Sequence, residues 1–218
     1  MKRQITYVAL ALALLFLVAL ATIAYTWHGI PGGYVKNRLG LSGDKLALAK
    51  KLHGDLIARN GNAKPRVVKL LIEKAKHKLS LVCDDRVWFQ CDCGLGQVPT
   101  GHKDREGDFR TPEGQYYVCT RNEKSKYYLF LGLSYPGPAD AERGLKLGLI
   151  NQDEHDQIKE AARARKRPPW KTELGGMVGI HGSGNALDWT RGCIALDDND
   201  MATIWQFCSL GTNVTINP

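Results

Sequence analysis

From Pro65 to the C-terminus the chain is written in short apolar runs punctuated by Gly, Asp and Pro, and this texture limits its fold more than any other feature. Apolar runs of about four to eight residues between turn residues are strand-length, whereas an amphipathic helix needs a longer stretch with three- and four-residue spacing. Strands are predicted at Val67–Glu73, Leu79–Cys83, Arg86–Cys93, Gln115–Thr120, Tyr127–Ser134, Met177–His181 and Asn213–Ile216, with Asp84-Asp85 as a tight hairpin turn. Val67, Leu70 and Leu71 also fit a helical face, so the first of these runs has two readings. Asn151-Gln152-Asp153-Glu154 has the form of a capping box, opening a charged helix that runs to about Lys166 and stops before Pro168-Pro169. A second helix is predicted over Asn199–Ser209, with Met201, Ile204, Trp205 and Cys208 facing inward. The expected fold class is therefore mainly β with a few peripheral helices.

The other end of the chain has a different character. Ile5 to Trp27 is a run of 23 residues without a charge, behind the basic head Met1-Lys2-Arg3-Gln4. That length spans a bilayer, which takes about 20 apolar residues, and exceeds the roughly 7 to 15 of a cleavable signal peptide. A retained transmembrane anchor over residues 1–27 is the expectation, although Ala19-Leu20-Ala21 has the form of a cleavage site. Residues 28–65 read as a basic, Gly-containing linker. It ends in a short amphipathic helix between Asp44 and Asn60, on which Leu48, Leu52 and Leu56 recur every fourth position and Lys50, Lys51 and Arg59 form a solvated face. Residues 66–218 form the folded domain.

The chain carries 30 Lys and Arg against 22 Asp and Glu. Residues 1–65 hold 9 basic and 2 acidic residues, whereas residues 66–218 hold 21 and 20. The domain itself is thus nearly neutral, which argues against a nucleic-acid partner. Six cysteines, Cys83, Cys91, Cys93, Cys119, Cys193 and Cys208, are present. An exported domain would be expected to pair at least two of those other than Cys193. Cys91-Asp92-Cys93 has the wrong spacing for a zinc knuckle, and no metal is expected.

Chemistry concentrates in Gly179-Ile180-His181-Gly182-Ser183-Gly184 and in Asp188-Trp189-Thr190-Arg191-Gly192-Cys193-Ile194-Ala195-Leu196. A cysteine that follows glycine and opens an apolar run sits where a loop enters a strand. Its sulfur is then presentable, and successive backbone N–H groups point one way, as an oxyanion hole requires. A histidine 12 residues earlier, at the end of another strand, can serve as the base that produces the attacking thiolate. The alternative from spacing alone is a buried structural cysteine beside an unrelated histidine.

The His181-Gly182 pair followed by Thr190-Arg191-Gly192-Cys193 resembles the signature of the YkuD-type L,D-transpeptidase family. Arg105-Glu106-Gly107-Asp108, Thr111-Pro112-Glu113-Gly114 and Ser134-Tyr135-Pro136 resemble its YafK and ErfK branch, and the likeness covers roughly residues 66 to 218. It implies a YkuD-type β-sandwich with Cys193 as nucleophile and His181 as general base. It further implies that the Gly182 carbonyl orients the imidazole and that the N–H groups of Arg191, Gly192 and Cys193 form the oxyanion hole. Thr190, Arg191 and Trp189 become candidates for substrate contact. His102, Glu106 and Asp108 lie near matching motifs, where loop structure is the simpler role; Asp188 fits a wall of the site or packing equally. The chain departs from the family where Arg191 replaces a usual histidine, where Ala195 replaces Arg or Asn, and in a shorter interval between His181 and Cys193.

The activity implied is peptidoglycan L,D-transpeptidation. Cys193 attacks stem peptides at meso-diaminopimelate, forms a thioester and passes the acyl group to an amine of another stem or of a wall-linked lipoprotein. No cofactor is needed for this chemistry. Hydrolysis by the same Cys/His site is the second reading, and a non-catalytic wall-binding module is the third. The implied location is the bacterial inner membrane, with one span and the catalytic domain in the periplasm.

Overall fold

The computed structural model describes residues 44–218. The predicted membrane span of residues 1–27 lies outside them, and among the described residues no helix is long and apolar enough to cross a membrane.

The first helix, α1 (Lys45–Arg59), starts where the Asp44 carboxylate accepts the N–H groups of Leu46 and Ala47, satisfying donors that a helix start leaves open. Ala49 and Leu56 are buried in the main core, and Leu48, Leu52 and Ile57 pack against it. The helix expected within a linker is therefore a working part of the domain, while Lys50, Lys51 and Arg59 remain on its exposed face.

The strands are β1 (Val68–Glu73), β2 (Lys78–Cys83), β3 (Arg86–Asp92), β4 (Gly114–Asn122), β5 (Phe130–Leu133), β6 (Gly179–His181), β7 (Ile194–Ala195) and β8 (Asn213–Asn217). They form one curled sheet in the order β3-β2-β1-β8-β4-β5-β6-β7, and with its few helices the fold is mainly β, as expected. The curl has two local causes. The first half of β4 pairs with β8 and the second half with β5, with a register shift between Val118 and Thr120; such an irregularity bends a strand and increases its twist. At the sheet's far ends, Gly94 and Ala195 exchange backbone hydrogen bonds of 2.9 and 2.8 Å, so the continuation of β3 meets β7. Leu79 through Cys83 on β2 are all buried, Ser80 among them, as in a strand covered on both faces.

Between β5 and β6 a helical hairpin is inserted, α2 (Pro138–Lys146) and α3 (Gln152–Arg163). The predicted capping box is present, with the Asn151 side chain accepting from the Glu154 N–H and the Glu154 carboxylate accepting from the Asn151 N–H. Ala141, Ile150, Ile158 and Leu174 give this hairpin a small core of its own. The last helix, α4 (Asp198–Trp205), buries Met201, Ile204 and Trp205 as expected, and Cys208 just beyond it is also buried.

All six cysteines are free thiols, against the expectation of a disulfide. Cys83, Cys91, Cys93 and Cys208 lie in the main core, where they act as small hydrophobes.

Candidate active site

His181 ends β6, and its imidazole is 2% exposed. It stacks on Tyr127, with ring centroids 4.7 Å apart, and meets Trp189 edge-on at 5.5 Å. Nδ1 lies 2.7 Å from the Gly182 carbonyl oxygen. A carbonyl only accepts, so Nδ1 carries the hydrogen and Nε2 keeps its lone pair. Burial lowers the imidazole pKa to about 4, with the Gly182 carbonyl working in the opposite direction, so the ring is neutral at pH 7.

Glycine at position 182 is a steric requirement. A Cβ there would sit 2.5 Å from Asp198 Oδ1 and 2.9 Å from Tyr128 Cβ. Asp198, in the first turn of α4, accepts the Ser183 N–H at 2.8 Å, and Ser183 takes a positive φ of 87°. The turn that carries the Gly182 carbonyl is thereby fixed from α4.

The position of Cys193 follows from sheet register. β6 and β7 are parallel, with Ile180 opposite Ile194 and His181 opposite Ala195. One step back in this register, Cys193 falls beside Gly179, on the same face as His181. Diagonal neighbours of this kind are about 7–8 Å apart at the backbone. The Cys193 thiol donates to the Met177 carbonyl, 3.7 Å away. Burial pushes the Cys193 thiol up to about 11, and Glu106 adds to this, while the Gly179 N–H and the Lys103 ammonium oppose it. The resting state is thus a neutral thiol beside a neutral imidazole.

Thr190 is buried, and its hydroxyl serves the loop. It lies 2.7 Å from the Cys193 carbonyl oxygen and 3.1 Å from that of Leu95, and accepts the Gly192 N–H at 3.1 Å. The Thr190 hydroxyl and the Gly192 N–H are thus both engaged within the protein. Gly192 has φ 125°, and a Cβ there would come within 2.6 Å of the Arg110 carbonyl oxygen. Arg191 is exposed and makes no hydrogen bond or ion pair among the described residues. Trp189 closes its own loop by donating from Nε1 to the Gly184 carbonyl at 3.0 Å while its ring walls His181. Asp188 points elsewhere, accepting the Leu95 N–H at 2.7 Å and pairing with His77 at 3.0 Å.

Of the loop residues near the family motifs, Asp108 accepts from Lys103 and from the N–H groups of Asp104, Arg105 and Arg110. His102 accepts the Glu113 N–H at 3.0 Å and contacts Asp140 and Arg143. Both hold loops together. Tyr127, Met177, Lys103 and Asp198 were not singled out from the sequence, because each reaches the site from a separate segment with no motif of its own. Among the described residues no group of three or more His, Cys, Asp or Glu is arranged to hold a metal.

Comparison with known proteins follows the same lines. The family model YkuD, the L,D-transpeptidase catalytic domain, matches residues 68–216. No curated protein sequence matches the chain. Among solved structures, a variant of the helical cell shape determining protein Pgp2 from Campylobacter jejuni superposes with a TM-score of 0.50 at 20% identity, over 80% of this chain and 56% of that one. Bd1075 from Bdellovibrio bacteriovorus gives 0.46 at 18% identity, over 70% and 48%. An L,D-transpeptidase from Xylanimonas cellulosilytica gives 0.41 at 16% identity, over 70% and 61%. The chain therefore spans only about half to three-fifths of the length of these structures. With the profile covering most of the chain and the curled sheet and Cys/His pair in place, the protein belongs to the YkuD family of L,D-transpeptidase catalytic domains.

Proposed function

We propose that the protein is a cysteine-dependent L,D-transpeptidase acting on peptidoglycan stem peptides. The observation that carries this reading is the register of β6 and β7, which sets Cys193 diagonal to His181, with the imidazole oriented by the Gly182 carbonyl and kept neutral by its burial. Because the thiol is protonated at rest, His181 Nε2 takes its proton as Sγ attacks the carbonyl carbon at the L-centre of meso-diaminopimelate. The tetrahedral oxyanion is received by backbone N–H groups, for which Arg191 and Cys193 are the donors left once Gly192 has turned inward. Collapse expels D-alanine, whose amine takes the proton from the imidazolium, and leaves the acyl group on sulfur as a thioester. An acceptor amine then attacks, His181 removes its proton, and the thiol is restored. The aromatic walls Tyr127 and Trp189 keep the base desolvated between these steps.

The N-terminal span is proposed to hold this domain at the inner membrane on its periplasmic side. Incubation of the full chain with purified wall fragments, followed by mass spectrometry, tests the reading. Cross-linked stems that disappear with Cys193→Ala are the expected outcome. Cleaved stems alone would make the enzyme a hydrolase, and retention on the wall without any product would make it a binding module.

A further inference from the structure

The segment between β3 and β4 is stiffened by two buried lysines. Lys74, 3% exposed, donates to the carbonyls of Gly101 and Thr111 and to the Glu113 carboxylate. Lys103, 1% exposed, donates to the Arg105 carbonyl and to Asp108. These bonds, with the three N–H groups on Asp108, use up that carboxylate, and Asp104 lies 3.6 Å from Arg143. Arg105 and Arg110 differ. Neither guanidinium has a carboxylate partner among the described residues.

Both arginines line a cavity of about 510 Å³ whose apolar wall is Val98, Leu147 and Leu149, with Asp104 and Asp108 completing it. Leu147 is 63% and Val98 39% exposed, so this wall is apolar surface left open. Position links the cavity to the nucleophile: the Arg110 backbone packs on Gly192, the residue before Cys193. A guanidinium forks onto a carboxylate through two parallel hydrogen bonds, and the leucines and valine suit a small aliphatic side chain beside it. The motif segment Arg105 to Gly114 otherwise has no task in the chemistry.

We infer that this cavity is the subsite for the C-terminal carboxylate of a peptide ending in a small aliphatic residue, with Arg110 and Arg105 determining that preference. The assignment rests on the reading of the protein as an enzyme of stem peptides, and it supplies the side of the site on which the departing D-alanine lies.

The test is equilibrium binding to the full chain carrying Cys193→Ala, which removes turnover. The probes are the tetrapeptide L-Ala-γ-D-Glu-meso-diaminopimelyl-D-Ala and its C-terminal carboxamide. Tighter binding of the acid by about 10- to 100-fold is expected, as for a charge-assisted hydrogen bond. Arg110→Gln in the same background should bring the two probes level, and Arg110→Lys should restore only part of the preference, with the thermal midpoint unchanged in both variants. Equal affinities for acid and amide, no binding of either, or an acid preference that survives Arg110→Gln combined with Arg105→Gln would each overturn the inference. Turnover of wall fragments by the unaltered enzyme separates the two readings. Activity without acid preference would sink the subsite alone, and acid preference without activity would sink the transpeptidase reading alone.

Discussion

The imidazole of His181 is held by the residue next to it in the chain: Nδ1–H donates to the Gly182 carbonyl oxygen at 2.7 Å. A base oriented by backbone rather than by a carboxylate has no negative charge to favour its protonated form. Burial therefore dominates, and the imidazole pKa falls to about 4. The Cys193 thiol is pushed the other way, to about 11. In the proposed mechanism, proton transfer between them would be confined to the moment of attack, when the developing charges would be met by the oxyanion donors.

The two side chains should accordingly fail differently on deletion. Cys193→Ala is expected to abolish turnover while leaving the thermal midpoint nearly unchanged, because the half-buried thiol contributes little to the core. His181→Ala should lower kcat/KM by roughly a hundred- to ten-thousand-fold, the usual span for general-base assistance. Steady-state kinetics on wall fragments with parallel thermal unfolding checks both. Full activity in Cys193→Ala would remove the mechanism.

A thiol with a pKa of about 11 has a distinctive labelling profile. Alkylation of Cys193 by iodoacetamide should rise about tenfold per pH unit from pH 7 to 10, because the thiolate fraction does so. A resting thiolate–imidazolium pair would give a plateau across that range. Intact-mass kinetics, with Cys193→Ala as the blank, separates the two.

His181 also links the site to acid stability. Its folded-state pKa of about 4 lies below the unfolded value of 6.5, so between these values the unfolded chain binds the extra proton. Stability is then present above pH 6.5 and is lost as pH falls toward 4, by roughly 3 kcal/mol at most. Asp200 has the opposite sign: burial, with Asp197 and Asp92, raises it to about 6 from 3.8, so its contribution grows as pH falls through that window. The variant His181→Gln should therefore lose less stability than the unaltered protein between pH 7 and 4, as measured by denaturant unfolding. An equal loss in both would place the acid sensitivity elsewhere.

Much of this site was legible in the sequence because its decisive residues are local. The glycines around His181 and Cys193 are demanded by close approaches, at Gly182 by Asp198 and at Gly192 by Arg110, and they leave a readable signature. Strands bounded by turn residues such as Asp84-Asp85 fall within a residue or two of their predicted limits, whereas β5 starts three residues after the expected Tyr127. The curl of the sheet was not legible, since it depends on pairing Gly94 with Ala195 across the chain and on the bulge within β4. Helix α2 was missed because Gly137 has no capping side chain; the cap comes from Asp140, which accepts the Gly137 N–H at 2.7 Å. Lys103 and Arg110 escaped for the same reason as the curl, since they meet Cys193 and Gly192 from far along the sequence.

Thr190 offers a test of the loop rather than of the chemistry. Its hydroxyl bonds the Cys193 carbonyl and accepts the Gly192 N–H, so Thr190→Val would keep the shape and leave both groups buried without a partner. A loss of about 1–3 kcal/mol is expected for such unsatisfied groups. Thr190→Ser should retain most of the stability. Denaturant unfolding decides it, and a Thr190→Val variant as stable as the original would return the hydroxyl to the role of substrate contact.

Arg191 stands where the family usually has histidine, and it is exposed with no partner among the described residues. In the proposed mechanism its backbone N–H would serve the oxyanion hole whatever the side chain, so substitutions there would leave that donor in place. Its guanidinium is permanently charged and cannot shuttle a proton; it can only bind or orient. If it holds a substrate carboxylate, Arg191→Gln should weaken use of wall fragments chiefly through KM, by about tenfold or more. Labelling of Cys193 by iodoacetamide should be unaffected, since nucleophile and base are untouched. Arg191→Lys should rescue only in part, because an ammonium lacks the planar fork. Unchanged kinetics in Arg191→Gln would assign this guanidinium to solvent and leave carboxylate recognition to Arg110 and Arg105 on the other side of Gly192.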